Sequence, residues 1–308
     1  MMRRGLVAVL GLALVAALAV WLVIAPKRLP ATELAAGYRP DLANGQEMFV
    51  AGNCSACHAT PGQTDRTRLG GGLKLTSSFG TFVTPNISSD PQFGLGRWSE
   101  LDFVNAMKRG VGRDGEHLYP AFPYGAYSVM KTADVRDLFA YLKTLPAVSA
   151  PTAPHDLKFP FGLRPAVGFW KLLYFHPKDF AADAKRSAAW NRGAYLAEGP
   201  AHCAECHTPR NALGGETQSQ LYAGAPNLEA NGRFASNITP HKDGIGDWSA
   251  QDIADFLKSG TDKCFNEPTG MRGVIASTSK LTDADLGALG TYIHDLPPKA
   301  GNGKHKTC

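Results

Sequence analysis

Two short stretches of the chain carry chemistry, "CSACH" at 54–58 and "CAECH" at 203–207. In C-x-x-C-H, two thiols stand about one helical turn apart with a histidine directly behind the second. That spacing lets both thiols add to the vinyl groups of one porphyrin while the histidine comes to lie under the iron, so it is the attachment signature of haem c. A zinc site or a thioredoxin-like redox pair also uses C-x-x-C, but zinc would want a second ligand pair in each unit, and none is evident. Cys54, Cys57, Cys203 and Cys206 are therefore expected to form thioethers. His58 and His207 are expected to be the proximal ligands of two covalently bound haem c groups.

A thioether sulfur opposite the histidine would close each iron and favour its ferrous state. The chain has six methionines. Met1 and Met2 are terminal, and Met48 and Met107 fall on apolar faces of expected helices, where packing is the ordinary role. Met130 and Met271 remain. Met271 follows His207 by 64 residues and precedes the last expected helix, so it is the expected second-haem ligand. The same spacing from His58 falls on Phe122, which cannot ligate iron. In "HLYPAFPYGAYSVMKTADV", 117–135, the first haem is left with Met130, His117 or an open position.

The elements that position these residues occur twice. "DLANGQEMFVAGNCSACHATPG" at 41–62 echoes "WNRGAYLAEGPAHCAECHTPRN" at 190–211, and two further blocks repeat in the same order at an offset of about 150. A repeat of domain length indicates duplication rather than a solenoid. Each unit reads as three helices. One precedes C-x-x-C-H. A second starts at a capping pattern, Ser99 with Asp102 or Ser249 with Asp252, and stops at Gly110 or Gly260. A third covers about 132–144 or 282–295, closed by Pro146 or Pro297. The long Gly- and Pro-rich loops between them suit a chain wrapped around a large cofactor. The expected division is an N-terminal segment 1–30, units at 40–146 and 187–298, a connector 147–186 and a tail 299–308. Phe169, Trp170, Leu173, Tyr174 and Phe175 of the connector are expected to pack between the units.

The 308 residues are 44% hydrophobic and 19% charged, enough for two packed domains. Four of the 32 positive residues lie in the first thirty, leaving 28 against 27 acidic residues elsewhere. No basic patch of nucleic-acid type results. Leu6 to Ala25 is an uncharged, mostly apolar run. As a helix it is about 30 Å long, the thickness of a bilayer core. It reads as a membrane anchor, with a cleaved signal peptide ending near "ALA" at 17–19 as the alternative. Either reading puts the remainder outside the cytoplasm. The favoured expectation is a single-pass helix in the inner membrane with haem domains in the periplasm. In an oxidising compartment the two remaining cysteines, Cys264 and Cys308, are candidates for a disulfide.

The repeated order of C-x-x-C-H, "TPNI" or "SNIT", a G-x-G-x-W-like turn, "YPAFPY" and a final helix ending in "LP" resembles the class I cytochrome c modules of membrane-associated multihaem subunits. Those subunits serve periplasmic quinoprotein alcohol dehydrogenases and molybdenum-containing aldehyde dehydrogenases. The resemblance covers about residues 40–298. It implies an all-α fold of two tandem class I cytochrome c domains behind a transmembrane helix, each wrapped around one haem. "PAFPY" with a methionine eight residues on resembles the dihaem relatives, which implies Met130 as the ligand. Trp98, Trp248, Asn86 and Asn237 resemble residues at the haem edge and propionates, and Arg210 resembles a propionate partner. Two closed haems leave no substrate site, so an electron-transfer role follows rather than an enzyme. The donor implied is a periplasmic dehydrogenase, and the acceptor a terminal oxidase or soluble cytochrome. A dihaem peroxidase with an open first haem is the alternative, kept alive by Phe122.

Overall fold

The computed structural model describes residues 2–225, 235–262 and 270–301. Cys264 and Cys308 lie outside them. Twelve α-helices and a small sheet are present among the described residues. In the first half, α1 is Met2–Ile24, α2 Leu42–Ala51, α3 Cys54–His58, α4 Glu100–Arg109, α5 Tyr124–Tyr127 and α6 Thr132–Thr144. The connector forms α7, Arg164–Tyr174. The second half holds α8 Ala188–Glu198, α9 Cys203–His207, α10 Ala250–Ser259, α11 Arg272–Thr278 and α12 Asp283–His294.

Local chemistry sets these bounds. Ser99 and Ser249 each accept from the backbone N–H three residues on, and Asp102 and Asp252 reach back to the cap, closing two capping boxes. Gly110 and Gly260 end α4 and α10 at φ 58° and 75°, the left-handed region that glycine tolerates without penalty. In each half the helix before the C-x-x-C-H turn packs against the last helix, α2 on α6 and α8 on α12. Both crossings depend on a glycine. A Cβ on Gly45 would collide with Asp137 O, and one on Gly193 with Ala288 O.

The structure departs from a purely helical fold. Lys74–Ser77 (β1), Gly80–Val83 (β2) and Asp156–Leu157 (β3) form an antiparallel sheet in the order β1-β2-β3, with Leu75 opposite Phe82 and Thr81 opposite Asp156. Thr76, Thr81, Phe82 and Val83 are β-branched or aromatic and flank a tight turn ending at Gly80, φ 119°. Two such short runs form a hairpin on contact with a third strand, here from the connector.

The expected transmembrane helix is also corrected. Residues 2–24 are helical, yet among the described residues no helix is long and apolar enough to cross a membrane. The last turn of α1 is committed to the protein body. Ile24 is buried, its carbonyl accepts from His117 Nε2 at 2.7 Å, and Gly168 of α7 lies against it. The inner-membrane location with periplasmic domains, drawn from that span, is withdrawn with it.

The connector has two faces. Trp170 Nε1 donates to Leu213 O at 3.0 Å, Tyr174 accepts from Asn211 at 3.2 Å, and Phe175 meets Tyr124 edge-on at 5.0 Å, so these three join the halves. Phe169 and Leu173 are exposed instead. At 3.6 residues per turn they lie about 100° around α7 from Trp170 and Tyr174.

Gly45→Ala and Gly193→Ala are expected to cost about 1–3 kcal/mol each through overpacking. Gly287→Ala, with nothing within 4 Å of the added methyl, should be neutral or gain up to about 1 kcal/mol. Denaturant midpoints of the haem-loaded protein check this, and equal losses in all three variants would overturn the close-crossing argument.

Candidate functional site

Both C-x-x-C-H turns are short helices entered through a residue in the left-handed region, Asn53 at φ 48° and His202 at φ 38°. That sharp entry turns the chain so that each cysteine pair and its histidine sit on one turn of helix. His58 Nδ1 pairs with Pro85 O at 2.9 Å, and His207 Nδ1 with Ser236 O at 2.7 Å. A metal-binding imidazole is oriented in this way, with one ring nitrogen donating to a carbonyl and the other left for the metal. Burial pushes both histidines below their usual range, which keeps them in the neutral form that ligates. The carbonyls of His58 and His207 in turn accept from Gly71 N and Gly224 N, each at 2.8 Å. One construction is built twice.

The thiols do not fit a redox pair. Burial, with the neighbouring cysteine adding to it, pushes both Cys54 and Cys203 up to about 12, the opposite of the lowered thiol of a thioredoxin-like motif. Among the described residues no group of three or more His, Cys, Asp or Glu is placed to hold a metal ion. Thiols on one helical turn, an imidazole tied by Nδ1, and a thioether-bearing segment in each half fit a covalently held haem.

Met130 is 1% exposed and packs against Gly199, whereas Met271 is half-buried at the N-cap of α11. Met48 and Met107 lie in the core. Phe122 packs on Tyr127 with ring centroids 5.4 Å apart. His117 is committed to the end of α1. Trp248 is buried and meets Phe256 edge-on at 5.4 Å, while Trp98 packs against the core from its edge. Asn86 donates to Val148 O at 2.7 Å and Ala150 O at 3.0 Å and accepts from Ser88 N. Asn237 donates to Lys299 O at 2.7 Å and accepts from Thr239. Both amides close loops at the end of the last helix. Arg210 pairs with the Glu205 carboxylate inside the second motif and donates to Gly214 O at 2.8 Å. Burial raises Glu205 and the guanidinium opposes that rise.

Sequence reasoning missed how the halves hold each other. Ser277 Oγ donates to Asn53 Oδ1 at 2.7 Å, and Tyr127 stacks edge-on against His202 at 5.6 Å. Asn53 and His202 are repeat counterparts, and Tyr127 and Ser277 lie in corresponding segments ahead of the last helix, so each half grips the residue that leads into the other's C-x-x-C-H turn. His202 also bonds to Gly52 O at 3.3 Å. Arg192 of α8 joins Glu47 of α2, and Tyr195 of α8 donates to Asp134 of α6. The repeat offset contains this pairing, but only as aligned positions, with nothing to show that they cross over.

A Cytochrome c family model matches residues 42–146. A diheme cytochrome c-type protein of Cereibacter sphaeroides is 43% identical over 300 residues, spanning 96% of this chain and 99% of that one. The fructose dehydrogenase cytochrome subunit of Gluconobacter japonicus is 38% identical, spanning 88% of this chain and 55% of its own. The alcohol dehydrogenase (quinone) cytochrome c subunit of Komagataeibacter europaeus is 37% identical, spanning 82% and 55%. This chain thus spans about half the length of those two dehydrogenase subunits.

Asn237→Ala removes the acceptor of the buried Thr239 N–H and one of the two donors to the Lys299 carbonyl, Thr239 Oγ1 remaining at 3.2 Å, and should cost about 1–3 kcal/mol. If the amide serves only the loop, the visible haem spectrum stays that of wild type while the denaturant midpoint falls. A spectral change with an unmoved midpoint would assign the amide to the cofactor instead.

Proposed function

We infer the role of this chain from one premise: it belongs to the dihaem c-type cytochromes. It carries two covalent haem c groups and serves as an electron-transfer protein rather than a catalyst. The peroxidase alternative finds no support among these relatives.

The observation that carries the finer reading is the duplicated histidine geometry, with His58 tied to Pro85 O and His207 to Ser236 O. Each unit, 40–146 and 187–298, holds one haem, with the connector 147–186 between them. Bound haem supplies one-electron chemistry at iron. The protein holds it by thioethers from Cys54 and Cys57 or Cys203 and Cys206, and fixes the proximal imidazole by its Nδ1 bond. Met130 and Met271 would supply the thioether sulfurs. The burial of Met130 and the engagement of His117 elsewhere favour Met130 over the other candidates in its segment. Sulfur ligation and burial both set potential, so the deeply buried Met130 and the half-buried Met271 would give the two haems different ones. Trp98 and Trp248 pack beside the cofactors. The donor is a quinoprotein or molybdenum-type dehydrogenase, a reading supported by the dehydrogenase subunits among the relatives. The acceptor is a terminal oxidase or a soluble cytochrome.

Carbon monoxide binding to the reduced protein tests the ligands. Wild type should bind none, Met130→Ala should expose one haem, and Met271→Ala the other. Stoichiometric binding by wild type would refute two closed haems, and an unchanged spectrum in Met130→Ala would refute that ligand.

A further inference from the structure

The segment bearing Met130 is held by an unusual set of bonds. Lys108, near the end of α4, is buried, with its side chain 7% exposed. Its Nζ donates to Ser128 O at 2.9 Å, to Met130 O, and to Asp179 Oδ1 at 2.8 Å. The intervening carbonyl, Val129 O, accepts from Phe180 N of the connector at 3.1 Å. The N–H groups of Ser128, Val129 and Met130 donate to Tyr124 O, Ala126 O and Tyr127 O. Lys131 N donates to Tyr195 OH, from α8, at 3.2 Å. Every backbone group from 128 to 130 is therefore bonded, and the partners come from α4, from α5, from the connector and, next door, from the second half. A turn this completely satisfied has little freedom to shift its side chain.

Among the described residues the second half lacks this device. Lys258, the repeat counterpart of Lys108, is 52% exposed at its side chain and pairs with Asp283 at the start of α12. The turn ahead of α12 is tied to α10 by a hydroxyl instead, from Thr278 to Leu257 O. Met271 lies seven residues before that turn, and its carbonyl accepts from Ile275 N at 2.8 Å within the first turn of α11.

We propose that Lys108 is a positioning residue for the first haem's sulfur ligand, its ammonium clamping the carbonyls of Ser128 and Met130 so that the thioether is presented at a fixed depth. This rests on reading Met130 as that ligand. The clamp also accounts for a sulfur that has moved eight residues along the chain from the Phe122 position. A ligand placed two residues ahead of α6 has no proline-rich loop to stiffen it, and the buried lysine supplies the rigidity.

The test uses the haem-loaded, ferric protein titrated with imidazole, which must displace the sulfur to bind. The readout is loss of the sulfur-to-iron charge-transfer band, with Met130→Ala and Met271→Ala marking each haem's share. Lys108→Met should tighten imidazole binding at the first haem about tenfold, because apparent affinity scales with the fraction of sites whose internal ligand has let go. The second haem should be unchanged. Asp179→Asn should have a smaller effect, since that carboxylate is 84% exposed and the two carbonyl bonds remain. If Lys108→Met does not mature with haem, Lys108→Gln, which keeps a donor without the charge, is read by the same criterion. Wild-type affinity and a wild-type band at the first haem in a folded Lys108 variant would overturn the proposal. So would equal loosening at both haems, which marks general destabilisation. A Met130→Ala protein that keeps the first haem's band would refute the ligand assignment, a separate failure from that of the clamp.

Discussion

The rest of the architecture answers to the bond between the histidine of each C-x-x-C-H turn and a backbone carbonyl. A buried imidazole of the kind that ligates a metal cannot be free to rotate, and its second nitrogen must be satisfied. Pro85 O and Ser236 O meet both needs. To deliver those carbonyls, a loop has to return under the C-x-x-C-H turn in extended form. The loop in turn is held by Gly71 N and Gly224 N on the histidine carbonyls and by the buried amides of Asn86 and Asn237. The long irregular stretches in this chain are thus hydrogen-bonded frameworks, with side-chain amides doing what strand ladders do elsewhere.

Around that repeated unit the two halves have diverged where they meet. Asn53 with Ser277 is a plain amide–hydroxyl bond, and its counterpart, His202 with Tyr127, is a ring contact. The first half keeps a hairpin that takes its third strand from the connector, and it buries a lysine where the second half exposes one. α7 also closes the end of α4 in the first half, with Lys171 donating to the terminal carbonyls Arg109 O and Gly110 O, both at 2.7 Å. Such a cation at a helix C-terminus favours the end of the helix dipole.

Much of this was legible in the chain itself, wherever a few neighbouring residues decide the outcome. The C-x-x-C-H turns, the capping boxes at Ser99 and Ser249, the glycine stops at Gly110 and Gly260, and the span of α6 all follow from local spacing. The hairpin at Lys74–Val83 was not anticipated, because its strands are four residues each and depend on Asp156–Leu157, over seventy positions away. The apolar run at the N-terminus was read as a span from its composition. The docking of Ile24 on His117 and Gly168 involves partners that composition does not mention. In the site, the residue types of the ligands were readable. The contacts around them, such as Lys108 on the carbonyls of Ser128 and Met130 and Tyr127 on His202, were not, since a lysine in "NAMKRG" looks like any solvated charge until the turn it bonds is in view.

The reciprocal grip on Asn53 and His202 has an evolutionary consequence. A duplicated domain is ordinarily free to be lost, shuffled or fused elsewhere, because each copy folds around its own core. Here the residue that bends the chain into each cofactor turn is held by the sister copy. Removing either half would leave the other with its attachment turn unsupported at the point of sharpest curvature. The two copies are thus no longer interchangeable units: deleting either one would remove a contact on the residue that leads into the other's attachment turn, so truncation at the connector carries a cost on both sides of the cut.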